Sequence, residues 1–448
     1  MKEKRSIHLR PAQVLAIGFF AVILGGTALL TLPAASANGK SVGVLTALFT
    51  ATSCTCVTGL SVVEAGVVFS TFGHIVMLLL IQIGGLGFMT AAALLFLLVG
   101  KKITLRERMT IAEGLGESSL RGMVRLARRV AVMSFGIEAA GAALLCIELI
   151  PRYGVGKGLW YAVFHAISAF CNAGFDLFGT GDSIAAFRSS PLFLLTLAML
   201  ILLGGTGFAV ITDCWKKKSW KKLMLQSKIV LLFSGVLLLL GTVLFLIAEY
   251  DNPETLGNMG FLEKLLNAFF QSVTLRTAGF ASIPQGSLRG ASIVLCCVLM
   301  FIGASPASTG GGMKTTTVFA ALLQVASIIR GREDLIFAER RLPQGTGRKA
   351  MSILCIGLLI VLATATGICF LEAGSGLSTE AIVSESFSAI ATVGNSMGVT
   401  GALSAASRVL VIFAMFCGRV GPLTLALAFM GKTTHSAARY PEEKIMVG

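Results

Sequence analysis

The sequence predicts an all-α membrane protein of four span–pore helix–span repeats, with eight transmembrane helices and four re-entrant pore helices around one pore. Three observations predict it. The chain of 448 residues is 55% hydrophobic and only 13% charged, with a mean hydropathy of +0.84, where a soluble chain is about a quarter charged. Its apolar residues fall in blocks of about 20, the length that spans a bilayer. Between the blocks, short amphipathic runs followed by small-residue tracts recur at near-equal spacing, which marks a repeated structural unit.

In chain order the blocks cover residues 14–32, 74–99, 130–150, 191–214, 229–248, 291–302 with a continuation at 315–329, 350–370 and 409–430. The first could pass for a secretory signal, with Lys2, Lys4 and Arg5 before it and Ala34-Ala35-Ser36-Ala37 after it. Its apolar stretch is longer than a signal's hydrophobic region, and the basic flank fits a span that is retained. The net charge of +15 is not a nucleic-acid footprint, because the bases cluster in alternate loops at 2–10, 101–129, 216–222 and 330–349. The intervening loops hold Glu64, Asp176, Asp182, Asp251, Glu254, Glu263, Glu380 and Glu385 with fewer bases. Basic loops stay cytoplasmic. Both termini are then expected in the cytoplasm and the chain is expected to be multi-pass in the cell membrane. An even number of spans satisfies this, with repeats at 1–100, 101–222, 223–335 and 336–448, the last carrying a cytoplasmic tail.

The four tracts are Val57-Thr58-Gly59, Asn172-Ala173-Gly174, Thr277-Ala278-Gly279 and Thr392-Val393-Gly394. Irregular backbone at membrane depth survives only where protein buries it or it lines a water-filled path. Four small-residue tracts can turn their carbonyls to one axis and replace a cation's hydration shell, with glycine supplying angles closed to other residues. Oxygen ligands suit a hard cation such as K+. A single tract would read as a close helix contact of the small-xxx-small kind; four in order favour a pore.

The block at 291–329 is interrupted by Gly303, Ser305, Pro306, Ser308, Thr309, Gly310, Gly311 and Gly312. Glycine and proline cannot sustain a regular helix there. Arg419 lies within the last block, where a charge should face protein or water. It reads as a positive charge that resists cation passage or holds the loop's carbonyls; the alternative is a packing arginine paired to Glu138 or Asp213. Lys314, just after the loop, is grouped with it, with snorkelling to the cytoplasmic face as its alternative.

At these residues the chain resembles the Trk/Ktr/HKT superfamily of potassium transporters, and within it the Ktr-type ion-translocating membrane subunit. The matching pieces are Val57-Thr58-Gly59-Leu60, Asn172-Ala173-Gly174-Phe175, Arg276-Thr277-Ala278-Gly279-Phe280, Thr392-Val393-Gly394-Asn395, the run from Gly303 to Thr317, and Gly418-Arg419-Val420-Gly421-Pro422. The resemblance implies a potassium pore of four repeats in one chain, blocked below its filter by the 303–312 loop. It also implies a homodimer in the bilayer and a cytoplasmic ring of regulatory subunits, through which alone a nucleotide would act. Each tract keeps one glycine, which leaves potassium against sodium, and any sodium coupling, open.

Enzyme and cofactor readings find little support. Residues 309–315 imitate a phosphate loop, but Met313 stands where the glycine before the lysine must be. Residues 345–350 imitate a dinucleotide fingerprint without the preceding strand. His8, His74, His165 and His435 have no metal spacing, and the ten cysteines read as small buried hydrophobes. A secondary transporter for an organic solute is the remaining rival, since it too would use broken helices.

Overall fold

The computed structural model describes residues 11–87, 123–332, 334–422 and 424–425, and these are mostly helical. Parts of the expected spans at 74–99 and 409–430, both termini, and most of the basic loop at 101–129 lie outside the described residues.

Four helices among the described residues are long and apolar enough to cross a bilayer. They are α1 (Pro11–Thr31), α4 (Met123–Tyr153), α8 (Leu225–Glu249) and α12 (Thr346–Leu371). Each leads into a shorter, largely buried helix: α2 (Val44–Cys56), α5 (Val155–Phe170), α9 (Phe261–Thr274) and α13 (Thr379–Ala391). An apolar helix then follows in each case: α3 (Thr71–Leu86), α6 (Pro191–Thr206), α10 (Gly290–Phe301) and α14 (Ala405–Val420). Two further helices, α7 (Phe208–Lys217) and α11 (Thr315–Ile329), continue α6 and α10 beyond a break. A small antiparallel hairpin, β1 (Ile336–Phe337) and β2 (Arg340–Arg341), turns the chain into α12.

Local sequence explains where these helices start. Ser70, Ser190, Ser378 and Ser404 each accept a bond from a backbone N–H in the first turn of α3, α6, α13 and α14, which satisfies a donor the helix itself cannot. Pro191 sits where its missing N–H costs nothing.

Where they end departs from the sequence reading. The block at 191–214 was expected as one continuous span, yet α6 stops at Thr206 and α7 turns away by 96°. The cause is Gly207, whose φ of +96° leaves the helical region and on which a Cβ would stand only 2.6 Å from the Pro306 carbonyl oxygen. Helix α3 likewise ends at Gly87 (φ +82°) and α14 at Gly421 (φ +94°). The break expected in the third unit therefore has a counterpart at Gly207 in the second, and positive-φ glycines end the helix at the matching places in the first and fourth. Their sequence signal is the run Gly84-Gly85-Leu86-Gly87, Gly204-Gly205-Thr206-Gly207 and Gly418-Arg419-Val420-Gly421.

The long helices present apolar side chains outward, among them Leu239, Ile247, Leu359 and Phe370, as a lipid-facing surface requires. Inward, aromatic residues close the space around α5 and α6, with the Phe187 and Phe193 rings stacked 4.0 Å apart. The end of α8 is tied down by Glu249, fully buried. Its carboxylate accepts from Asn252 Nδ2 (2.6 Å), Thr255 Oγ1 (2.7 Å), Arg289 N (2.9 Å) and Ser292 Oγ, so one acid ties the start of α10 to the end of α8.

Candidate functional site

The short helices α2, α5, α9 and α13 run into the four glycine tracts, so their C-termini, the negative ends of their dipoles, lead to one place. Just past each helix the chain turns left-handed at a residue other than glycine: Val57 (φ +56°), Asn172 (+59°), Thr277 (+68°) and Thr392 (+51°). Such angles are costly for the β-branched Val57, Thr277 and Thr392 and readily tolerated by Asn172, and the same turn appears at equivalent positions of all four tracts.

The glycine two residues further on closes the arrangement. Gly59, Gly174, Gly279 and Gly394 all have positive φ, between +67° and +94°. A Cβ on Gly59 would strike the carbonyl oxygen of Ala173, one on Gly174 that of Ala278, one on Gly279 that of Val393, and one on Gly394 that of Thr58. The first tract touches the second, the second the third, the third the fourth, and the fourth the first. All twelve residues picked from the sequence thus stand in one closed ring of backbone, with room for glycine alone at the contacts.

The ring is braced from behind by hydroxyls that the sequence reading passed over. Ser53 Oγ accepts from Gly59 N (3.1 Å), Ser388 Oγ from Gly394 N (3.0 Å) and Ser168 Oγ from Phe175 N (3.0 Å). In the third tract Thr274 Oγ1 donates to Phe280 O at 2.7 Å. A serine six residues before the glycine in three of the tracts was the available signal. Asn172 Nδ2 links neighbouring tracts through Arg276 O and Thr277 Oγ1, both at 3.2 Å. Thr58 Oγ1, Thr392 Oγ1 and Asn172 Oδ1 are buried without a hydrogen-bond partner, which leaves oxygen lone pairs at the tracts themselves.

On one side the ring opens into a cavity of about 580 Å³ lined by all four glycines and by Glu64, Asp176 and Asp182. Burial beside this cavity pushes the Asp176 carboxyl up to about 6, opposed by a bond from Phe178 N and reinforced by the nearby Glu64 charge.

On the other side lies the interrupted segment between α10 and α11. A Cβ on Gly310 would strike Thr277 Oγ1, and one on Gly311 would strike Thr392 Oγ1, so the loop is pressed directly against the base of the ring. Gly312 faces Ala391 O and Gly303 faces Gly311 O, again too closely for a side chain. The loop is also bonded to the second unit. Ser305 N donates to Gly205 O (3.0 Å), Thr309 N to Gly204 O (3.1 Å) and Thr309 Oγ1 to Phe170 O (2.9 Å). Ser308 Oγ closes the turn at Pro306 by donating to Ser305 O at 2.6 Å.

Arg419 reaches this loop. Its guanidinium donates to Thr309 O at 2.5 Å and to Gly84 O. The alternative acid partners are engaged elsewhere: Glu138 accepts from Gln82 Nε2 at 3.0 Å, and Asp213 pairs with Lys217 at 2.9 Å. Lys314 folds back to donate to Gly310 O at 2.8 Å and does not snorkel outward. The expected site residues are thus brought together as a ring and a loop beneath it. Elsewhere His165 is a core residue, bonded to Tyr161 O at 2.7 Å and stacked 4.4 Å from Phe178. Among the described residues no three His, Cys, Asp or Glu side chains cluster as a metal site.

Four glycine tracts closed into a ring inside an apolar helical shell, open to an acidic cavity, have the architecture of a membrane transport protein. The chain belongs to the TrkH family of cation transport proteins, whose profile matches residues 10–437. It is 41% identical over 442 residues to Ktr system potassium uptake protein B of Bacillus subtilis (strain 168), covering 99% of this chain and 98% of that one. It is 38% identical over 456 residues to potassium/sodium uptake protein NtpJ of Enterococcus hirae, covering 100% and 99%. The crystal structure of the potassium transporter TrkH from Vibrio parahaemolyticus superposes with a TM-score of 0.72 over 96% of this chain and 87% of that one, at 18% identity, which shows a shared fold.

Proposed function

We propose that this chain is the ion-translocating subunit of a potassium uptake system, passing K+ through the four-tract ring under the control of the 303–312 loop. The observation that carries this reading is the closed cycle of glycine-to-carbonyl contacts around the ring, with Gly310 and Gly311 seated against its base. A ring of carbonyls replaces the hydration shell of a monovalent cation, and a loop filling the path just below it stops conduction. Arg419 and Lys314 hold that loop by donating to its carbonyls, and both place positive charge beside the path. The names of the Bacillus and Enterococcus relatives support potassium as cargo, and the latter's name brings in sodium.

The reading takes the chain as four units, at 1–100, 101–222, 223–335 and 336–448, each a span, a pore helix and a second, broken span. Its basic loops and termini face the cytoplasm. It assembles as a homodimer and answers to a cytoplasmic ring of nucleotide-binding subunits.

Rubidium uptake into vesicles, with and without sodium, tests the cargo and separates it from organic-solute transport. Deleting residues 305–311 should raise uptake severalfold, and Arg419→Gln should move it the same way. Unchanged or lower uptake from a folded deletion variant rejects the loop as a gate.

A further inference from the structure

The turn between α7 and α8 carries a surface that ion passage does not use. Five lysines, Lys216, Lys217, Lys218, Lys221 and Lys222, are interleaved with Trp215 and Trp220. All seven side chains are exposed; Trp215 is 80% accessible and Trp220 51%. An indole left this open in a packed helical protein is unusual, and two beside a run of lysines call for a partner that is apolar at one depth and anionic at the next.

The surface is rigidly mounted. Asp213 Oδ2 accepts from Met224 N and Ser227 Oγ, both at 2.8 Å, and its Oδ1 pairs with Lys217 at 2.9 Å. That acid clamps the turn onto α8 and satisfies one lysine. It is the sole carboxylate between Phe208 and Ala248, and among the described residues no ion pair engages the remaining four lysines. Phe208 and Val210 are buried on the inner side of α7. Because α7 leaves α6 at 96°, it does not prolong α6 along the same axis. It starts at the interrupted loop, on the side of the ring away from the acidic cavity; at such an end of a membrane bundle tryptophan settles at the headgroup level and an amphipathic helix lies in the interface.

We propose that this turn is a docking surface for anionic phospholipid headgroups, with Trp215 and Trp220 set at the interface and Lys216, Lys218, Lys221 and Lys222 on the phosphates. Charge complementarity carries it: lysines near a membrane surface draw anionic lipid, and among the described residues Asp213 pairs with Lys217 alone of the five. The other end of the same ten-residue helix is bonded to the intramembrane loop, through Phe208 N and Ala307 O at 2.9 Å. Lipid held at the turn therefore acts on the helix that touches the gate.

The test uses the full chain carrying Trp160→Phe, which leaves Trp215 and Trp220 as its fluorophores of the three tryptophans. It is reconstituted in phosphatidylcholine containing increasing mole fractions of brominated phosphatidylglycerol or of brominated phosphatidylcholine. Brominated phosphatidylglycerol should quench at the lower concentration, and K216Q/K218Q/K221Q/K222Q should reduce that preference about tenfold or more. Raising salt on the protein with its lysines intact should erode the preference as well, which keeps the test decisive if the fourfold variant fails to fold. Equal quenching by the two lipids, or a preference untouched by salt or by loss of the lysines, overturns the proposal and leaves a solvated face or a protein partner. Neither result bears on whether rubidium passes the ring, so the transport reading stands or falls separately.

Discussion

At the residue scale the decisive atoms are ones that are absent. Gly174 has a φ of +67° and its missing Cβ leaves room for the Ala278 carbonyl. Gly174→Ala sets a methyl against that oxygen in a conformation costing about 1–3 kcal/mol, so rubidium uptake should fall roughly tenfold or more. Undiminished uptake by that variant would show that the contact does not shape the path. Asp176 supplies a second residue-scale expectation. Its carboxyl is pushed up to about 6 by burial, so it is largely neutral at external pH 5 and ionised at about pH 7. Negative charge at the cavity draws cations, so uptake should climb across that interval. Asp176→Asn should flatten the climb; a profile identical to that of the unaltered protein would remove Asp176 from the entry path.

At the scale of elements, the arrangement depends on a few polar ties between helices that are otherwise greasy. Glu249 accepts four hydrogen bonds at the junction of α8 and α10. Glu249→Ala leaves buried donors unpaired, at about 1–3 kcal/mol each, and should lower the Tm of the detergent-solubilised protein by several degrees, with Glu249→Gln losing less. An unchanged Tm in both variants would mean the junction is held by packing alone. The same scale shows how much was legible in advance. The short helices and their tracts were readable because the amphipathic run and the glycine recur together. The helix ends at Gly87 and Gly207 were missed because Gly-Gly-x-Gly inside an apolar block, like the Gly-x-x-Gly that ends at Gly421, is also what a close helix crossing looks like. Only the proline and extra polar residues at 305–309 made the third break visible.

For the whole molecule, the alternation of basic and acidic loops predicts which face meets the cytoplasm. A single cysteine placed at Lys222 in a background lacking the native ten should react with an impermeant maleimide in inverted vesicles and not in intact cells. Labelling of intact cells would reverse the orientation and move the acidic cavity inside. The clustering of the acids Glu64, Asp176 and Asp182 at the cavity was not predictable from their order in the chain, since they come from two different units.

The four glycine tracts therefore led the reading by themselves: composition placed the chain in a membrane, and recurrence made four equivalent stretches of non-helical backbone. A linear chain carries such periodicity openly, because each unit repeats the same local demand on angles and hydrophobicity. The tertiary structure decided what the sequence left open. It joined the fourth tract to the first, pressed Gly310 and Gly311 against the ring, and sent Arg419 to Thr309 O and not to Glu138 or Asp213. Those outcomes rest on contacts between residues dozens to hundreds of positions apart, and a charge taken out of water binds whichever partner the packing brings within reach.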